Sequence, residues 1–192
     1  MLKIGIYACE NTAEIIEALL LILKDSNSSV AIKNNQNYKM DDILRCAYQE
    51  IDYILIPLND KNIHPVTLDI LILDNPNNKN IVTYELVDCI SEDTILIYNT
   101  DNNYLPKLEH PNAIDYGFSQ ESTVSISSVE YNESACSFML SVTKSFPCLC
   151  GDMCPIGEIL ITCNSDIKLE NRIPAVICGI VCENSKRNVI KI

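Results

Sequence analysis

The chain has 192 residues, enough for one domain or for one domain with a small appendage. Hydrophobic residues make up 47% of it, and 26 acidic side chains against 14 basic ones give a net charge of −12. A nucleic-acid partner is not expected, because such proteins carry clustered basic side chains and the basic residues Lys186, Arg187 and Lys191 are interpreted as a solvated terminus. No apolar run approaches the roughly 18 residues of a membrane span, so membrane insertion is not expected either.

The first residues run directly into a strand-like pattern, without the cationic and apolar regions of a secretory leader. We therefore expect a cytoplasmic protein. Ten cysteines in such a chain are interpreted as reduced thiols, most of them in apolar segments where cysteine behaves as a small buried hydrophobe.

The first 120 residues predict a parallel α/β core. A strand at 2–7 is followed by a helix at 12–24, which Asn11 or Thr12 could cap and which buries one face. Short, nearly continuous apolar runs are typical of parallel strands that are covered on both faces. Further strands are predicted at 30–33, 52–58, 68–73, 94–99 and 113–117, and further helices at 39–49 and 81–90.

The pattern changes after Gly117. Polar and apolar residues alternate at 123–129 and 137–142, and a further strand follows at 158–163, which predicts antiparallel strands with one solvated face over 121–165. A last apolar helix is predicted at 170–184 with Pro174 in its first turn, so that 166–192 forms a helix and tail. We therefore predict one α/β domain over 1–192, with a mostly parallel sheet flanked by helices and a small antiparallel subsheet.

Residues 95–129 resemble the central, ATP-binding domain of the Mur ligase family. The strand that ends in Asn99-Thr100-Asp101-Asn102 is similar to that family's strand ending in Asn-x-Asp-Asp. The stretch Ala113–Ser119 resembles its short strand ending in a Gly-Phe/Leu-Ser turn, and Thr123–Val129 matches the next antiparallel strand. The resemblance implies a P-loop-like α/β fold and ligases that join an acid to an amino acid, using ATP and magnesium through an acyl phosphate.

The first departure from the family pattern is a degenerate P-loop. The family has Gly-Thr-Asn-Gly-Lys-Thr after its first strand, where this chain has Ala8, Cys9, Glu10, Asn11, Thr12 and Ala13. Thr12 stands at the position of the phosphate-binding Lys, and Ala13 at that of the Thr that binds magnesium. The charge of Glu10 would oppose the phosphates by about 4 kcal/mol at about 4 Å.

Three further positions depart from the family. Pro57 occupies the place of a magnesium-binding Glu, and residues 73–79 contain no counterpart of the family's His. The helix expected at 82–90 contains no Lys for carbamylation. Of the family's site, Asn99 and Asp101 match the adenine and ribose end, although both are also ordinary turn residues.

Cysteines cluster in one predicted hairpin connection, at Cys148, Cys150 and Cys154. Thiolates on a tight loop can bind zinc or an iron–sulfur cluster, but paired Cys-x-x-Cys knuckles are the usual zinc signature and are absent here. These residues are therefore weak metal candidates, and plain thiols are the favoured interpretation.

The chain resembles the family in the order of its elements but departs from it at four catalytic positions. We therefore predict no catalytic residue and no cofactor. We hypothesise a non-catalytic relative that binds or scaffolds a separately encoded partner in cell-wall biosynthesis. The alternatives are a divergent ATP-dependent ligase or nucleotide-binding protein completed by a partner, for which ATP and magnesium would be cofactors, and a metal or redox module on the cysteine loop.

Overall fold

A computed structural model describes residues 1–8, 11–33, 45–58, 66–74, 86, 88–101, 109–131, 135–164, 172–183 and 189–191. Twelve strands and two helices are assigned within these ranges. The strands are β1 Leu2–Tyr7, β2 Val30–Ile32, β3 Tyr53–Pro57, β4 Ile70–Leu73, β5 Ile95–Asn99, β6 Ala113–Gly117, β7 Val124–Tyr131, β8 Ala135–Val142, β9 Phe146–Pro147, β10 Met153–Cys154, β11 Gly157–Asn164 and β12 Val189–Lys191. The helices are α1 Thr12–Asp25 and α2 Ile173–Glu183.

Ten strands form one sheet in the order β12-β11-β8-β7-β6-β5-β4-β1-β3-β2, and β9 and β10 form a separate hairpin. The pairs β7–β8 and β8–β11 are antiparallel, and every other neighbouring pair of the large sheet is parallel. The predicted fold class is confirmed. The antiparallel strands β7, β8 and β11 continue the parallel sheet instead of standing apart from it.

The central strands are buried on both faces, as their continuous apolar sequences predict. In β4, for example, Ile70 and Ile72 belong to one hydrophobic cluster, and Leu71 and Leu73 belong to a second cluster across the sheet. Alternation of side chains along a strand produces this division.

Helices α1 and α2 pack against each other over the first of these clusters. The predicted buried face of α1 is confirmed by Ile15, Leu19 and Ile22, all of them within the core. Gly179 permits the close approach of α2, because a Cβ atom there would lie 2.6 Å from Cγ2 of Ile22.

Two details differ from the sequence-based expectation. Residues 189–191, predicted as tail, form the edge strand β12, which pairs in parallel with β11. Asn11 does occupy the N-cap position of α1, but its side chain makes no capping hydrogen bond. The amide is used elsewhere, in the candidate site described below.

The predicted helix at 39–49 is represented by a helical turn at 45–48. The rest of that helix, most of the one predicted at 81–90, and the basic residues Lys186 and Arg187 lie outside the described residues. Within the described ranges, no helix is long and apolar enough to cross a membrane.

Candidate functional site

A buried carboxylate joins the carboxyl ends of three parallel strands to the start of α1. Asp74 follows β4 directly and is 2% exposed. Its Oδ1 accepts hydrogen bonds from the Tyr116 hydroxyl at 2.7 Å and from Nδ2 of Asn99 at 3.0 Å. Its Oδ2 accepts a third bond from Nδ2 of Asn11 at 3.1 Å. We call Asp74, Asn11, Asn99 and Tyr116 the strand-end network.

The three donors of this network that the structure describes are neutral. Burial, followed by the negative charge of Asp74, raises the pKa of Tyr116 well above its ordinary value, so the phenol stays protonated and can donate. A buried carboxylate is tolerated when several hydrogen bonds satisfy its oxygens. The network therefore holds α1, β4, β5 and β6 in a fixed relation.

Ala8 and Asn11, the described residues of the connection from β1 to α1, are joined by a backbone hydrogen bond. The backbone N–H of Asn11 donates to the carbonyl oxygen of Ala8 at 2.9 Å. A phosphate-binding loop instead directs its N–H groups at the ligand. Thr12 begins α1 and Ala13 is exposed on its first turn. Cys9 and Glu10, the two remaining residues of the predicted degenerate loop, lie outside the described residues.

Asn99 and Asp101, the predicted remnant of a nucleotide site, organise the turn after β5. Oδ1 of Asn99 accepts the N–H of Asp101 at 2.9 Å, and Oδ2 of Asp101 accepts the N–H of Phe118 at 2.8 Å. Gly117 makes this possible, because a Cβ atom there would lie 2.7 Å from Oδ1 of Asp101. Both side chains thus have structural partners, and a nucleotide role for them stays a prediction.

A cleft of about 750 Å³ opens beside this turn. Its walls come from the ends of β5 and β6, the loop after β6 and the end of β8. The lining residues are Tyr98, Thr100, Asp101, Asp115, Ser119, Gln120, Glu121, Ser122, Thr143 and Lys144. Three carboxylates and one ammonium group among these residues give the lining a net negative charge.

The hydroxyl groups of the cleft mostly hold its own walls together. Oγ1 of Thr100 donates to the carbonyl oxygen of Tyr116 at 3.0 Å and contacts Oγ of Ser122 at 3.0 Å. Oγ1 of Thr143 donates to the carbonyl oxygen of Ser122 at 2.6 Å. Nζ of Lys144 donates to the carbonyl oxygen of Glu121 at 3.0 Å. The cleft is thus a preformed, polar and mainly anionic surface.

The remaining predicted positions contribute no further ligand site in the described part of the chain. Pro57 ends β3 and offers no metal-binding group. Cys154 is buried in β10 and Cys148 is buried directly after β9, whereas Cys150 is exposed in the turn between these strands. No three His, Cys, Asp or Glu side chains among the described residues are grouped to hold a metal ion. The segments 75–79 and 82–85, with two of the predicted departures, lie outside those residues.

Comparison with solved structures identifies the fold. The chain is similar to a UDP-N-acetylmuramoyl-L-alanyl-D-glutamate–2,6-diaminopimelate ligase, with a TM-score of 0.66 and 11% identity over 93% of this chain and 43% of that one. It is similar to the MurF ligase from Thermotoga maritima in complex with ADP, with a TM-score of 0.59 and 11% identity over 93% of this chain and 44% of that one. The murein peptide ligase Mpl from Psychrobacter arcticus gives a TM-score of 0.56 and 11% identity over 93% and 42%.

The chain therefore has a Mur ligase-like α/β fold and spans less than half the length of these ligases. Neither the comparison with protein-family models nor the one with curated proteins finds a match. At this identity the likeness shows the fold alone.

Sequence reasoning missed the strand-end network and the cleft. Asp74 carried a signal, since it follows a fully apolar strand, but its partners come from α1, β5 and β6 and are remote in sequence. Tyr116 lies in the strand predicted at 113–117, and its hydroxyl gives no periodic signal.

Proposed function

We propose that this chain is a non-catalytic counterpart of the Mur ligase central domain, with a binding or scaffolding role in peptidoglycan biosynthesis in the cytoplasm. The observation that carries the proposal is the strand-end network. A hydrogen-bonded carboxylate, Asp74, occupies the edge of the sheet at the start of α1, where a P-loop protein would receive phosphates.

Electrostatics argues against a triphosphate at this place. A carboxylate about 4 Å from a phosphate would oppose it by about 4 kcal/mol unless a magnesium ion lay between them. Thr12 and Ala13 supply neither the ammonium group nor the magnesium-binding hydroxyl of the family pattern. Phosphoryl transfer depends on such charge stabilisation, so the described residues offer no support for it.

Isothermal titration of the whole chain with ATP and magnesium tests this proposal. We expect no magnesium-dependent binding in the micromolar range. Asp74→Asn removes the buried charge and serves as the matched variant, and we expect it to remain without tight binding because Thr12 and Ala13 are unchanged. Tight, magnesium-dependent binding of ATP by the unaltered chain would contradict the proposal.

A second candidate function is the binding of a nucleotide by the cleft, with this chain holding the adenosine end by itself and a partner chain completing the rest of the site. The observation that favours it is the preformed cavity beside Asp101. Titration with adenosine and with ATP, followed by NMR, tests it. Binding that Asp101→Ala weakens and the exposed control Asp93→Ala leaves unchanged would support this candidate, whereas unperturbed cleft resonances would remove it.

A further inference from the structure

Two buried cysteines face each other across neighbouring antiparallel strands. Cys136 of β8 and Cys163 of β11 are direct partners in the strand register. Their exposed fractions are 0% and 5%. Directly opposed residues of an antiparallel pair have Cα atoms about 4.5–5.5 Å apart, which lies within the range of about 4.4–6.8 Å that a disulfide requires.

The Cys163 thiol also contacts the opposite strand at Cys136. Sγ of Cys163 lies 3.5 Å from the carbonyl oxygen of Cys136. Burial, followed by the charge and hydrogen bonding of the neighbouring Cys136 thiol, raises the pKa of Cys163 to about 11, and Arg172 opposes this rise. The side chains therefore point to the same face of the sheet and share one environment.

Arg172 supplies an unusual neighbour for this pair. It directly precedes α2, is 3% exposed, and its Nε and Nη1 atoms have no hydrogen-bond partner. A buried guanidinium with two unpaired nitrogens is costly, and an adjacent thiolate would relieve that cost. Loss of a proton from Cys163 is thus easier here than in a purely apolar core.

The position of the pair in the ladder makes it accessible to local opening. Cys136 is the second residue of β8, and Cys163 is the residue before the last of β11. Only the pair Ala135–Asn164 lies between the two cysteines and the end of the pairing of β8 with β11. Opening at strand ends costs much less free energy than global unfolding.

We propose that Cys136 and Cys163 form a redox-active dithiol, which closes to a cross-strand disulfide by exchange with a low-molecular-weight disulfide such as oxidised glutathione. The Cys163 thiolate attacks one sulfur of that disulfide and releases one thiolate, which gives a mixed disulfide. The Cys136 thiolate then attacks the sulfur of Cys163 and releases the second thiolate. The protein loses two protons and two electrons, and the small disulfide is reduced to two thiols.

The test is oxidation of the folded whole chain with oxidised glutathione, followed by alkylation of the remaining thiols and peptide mapping by mass spectrometry. A Cys150→Ser background removes a thiol that is exposed in the described part of the chain and would otherwise form a mixed disulfide. We expect a Cys136–Cys163 link as the first internal bridge. Either Cys136→Ala or Cys163→Ala should abolish it.

Cys178 and Cys182 on α2 provide the matched control. Their thiols also interact, but they lie one helical turn apart, where bridging requires the helix to distort. Cys182→Ala should therefore leave the cross-strand link unchanged. A folded chain that gains no link, or that first bridges Cys178 to Cys182, overturns the proposal.

The rate of thiol–disulfide exchange tests the effect of Arg172 on Cys163. Arg172→Gln removes the positive charge and should raise the pKa of Cys163. A rise of about one unit makes the thiolate fraction about tenfold smaller, but the remaining thiolate is more nucleophilic. The exchange rate should therefore fall about threefold. Arg172→Lys keeps the charge and should retain the rate. Equal rates for both variants would overturn the role of Arg172.

Discussion

Removal of Asp74 should reveal how strongly the strand-end network holds the fold. Asp74→Ala takes the acceptor from the Tyr116 hydroxyl, which is fully buried, and this loss costs about 1–3 kcal/mol. Asn99 and Asn11 are half-buried and can bind water in place of the carboxylate, so we assign them about 0.5–1 kcal/mol each. The expected loss in the free energy of unfolding is about 2–5 kcal/mol.

A double-mutant cycle separates the Asp74–Tyr116 hydrogen bond from the rest of that loss. Tyr116→Phe alone should cost about 1.5–3 kcal/mol, because its bond goes to a charged acceptor. In the double variant neither partner is left unsatisfied, so the two losses should overlap by about 1–3 kcal/mol. Urea unfolding followed by circular dichroism measures all three variants. Strict additivity of the two single changes would refute this reasoning.

Three further changes test other parts of the account. Gly117→Ala should cost about 1–3 kcal/mol, because the new Cβ would lie 2.7 Å from Oδ1 of Asp101; a urea midpoint equal to that of the parent contradicts this. Gly179→Ala should destabilise by a similar ~1–3 kcal/mol through its contact with α1, and an unchanged melting temperature would refute it. Hydrogen bonds from the backbone and side chain of Ser29 lower the pKa of Asp52 below its usual 3.8. The ionised Asp52 therefore stabilises the fold above pH 3.8, and this stabilisation is lost as the pH falls through the lowered pKa. Asp52→Asn should therefore lower the urea midpoint at neutral pH but not in strong acid, and a constant difference would contradict it.

Most of the sheet could be predicted from local sequence. Continuous apolar runs such as those of β3 to β5 mark buried parallel strands, and the alternating segments of β8 and β11 mark strands with one buried face. The alternation predicted at 123–129 is wrong for the outer half of β7, which is exposed from Ser127 onward. The edge strand β12 could not be predicted, because three residues carry too little periodicity. Its register depends on β11, which is remote in sequence.

The candidate site was predictable only in part. Asn99 and Asp101 stand out by resemblance and do meet in one turn after β5. Asp74 and Tyr116 could not be recognised as partners, because 42 residues separate them and only the sheet order brings them together. Asn11 is predicted as a cap and does take that position, but the bond that its Nδ2 donates to Asp74 orients the side chain, and its Oδ1 accepts no hydrogen bond from the start of α1.

The central claim, a ligase-like fold without phosphoryl-transfer chemistry, is tested most directly by ATP consumption. Phosphate release from ATP and magnesium should be measured for the whole chain and for Asp101→Ala, with and without peptidoglycan-precursor acids and amino acids. We expect phosphate release no faster than in a protein-free control. Turnover by the unaltered chain that disappears in Asp101→Ala would contradict it.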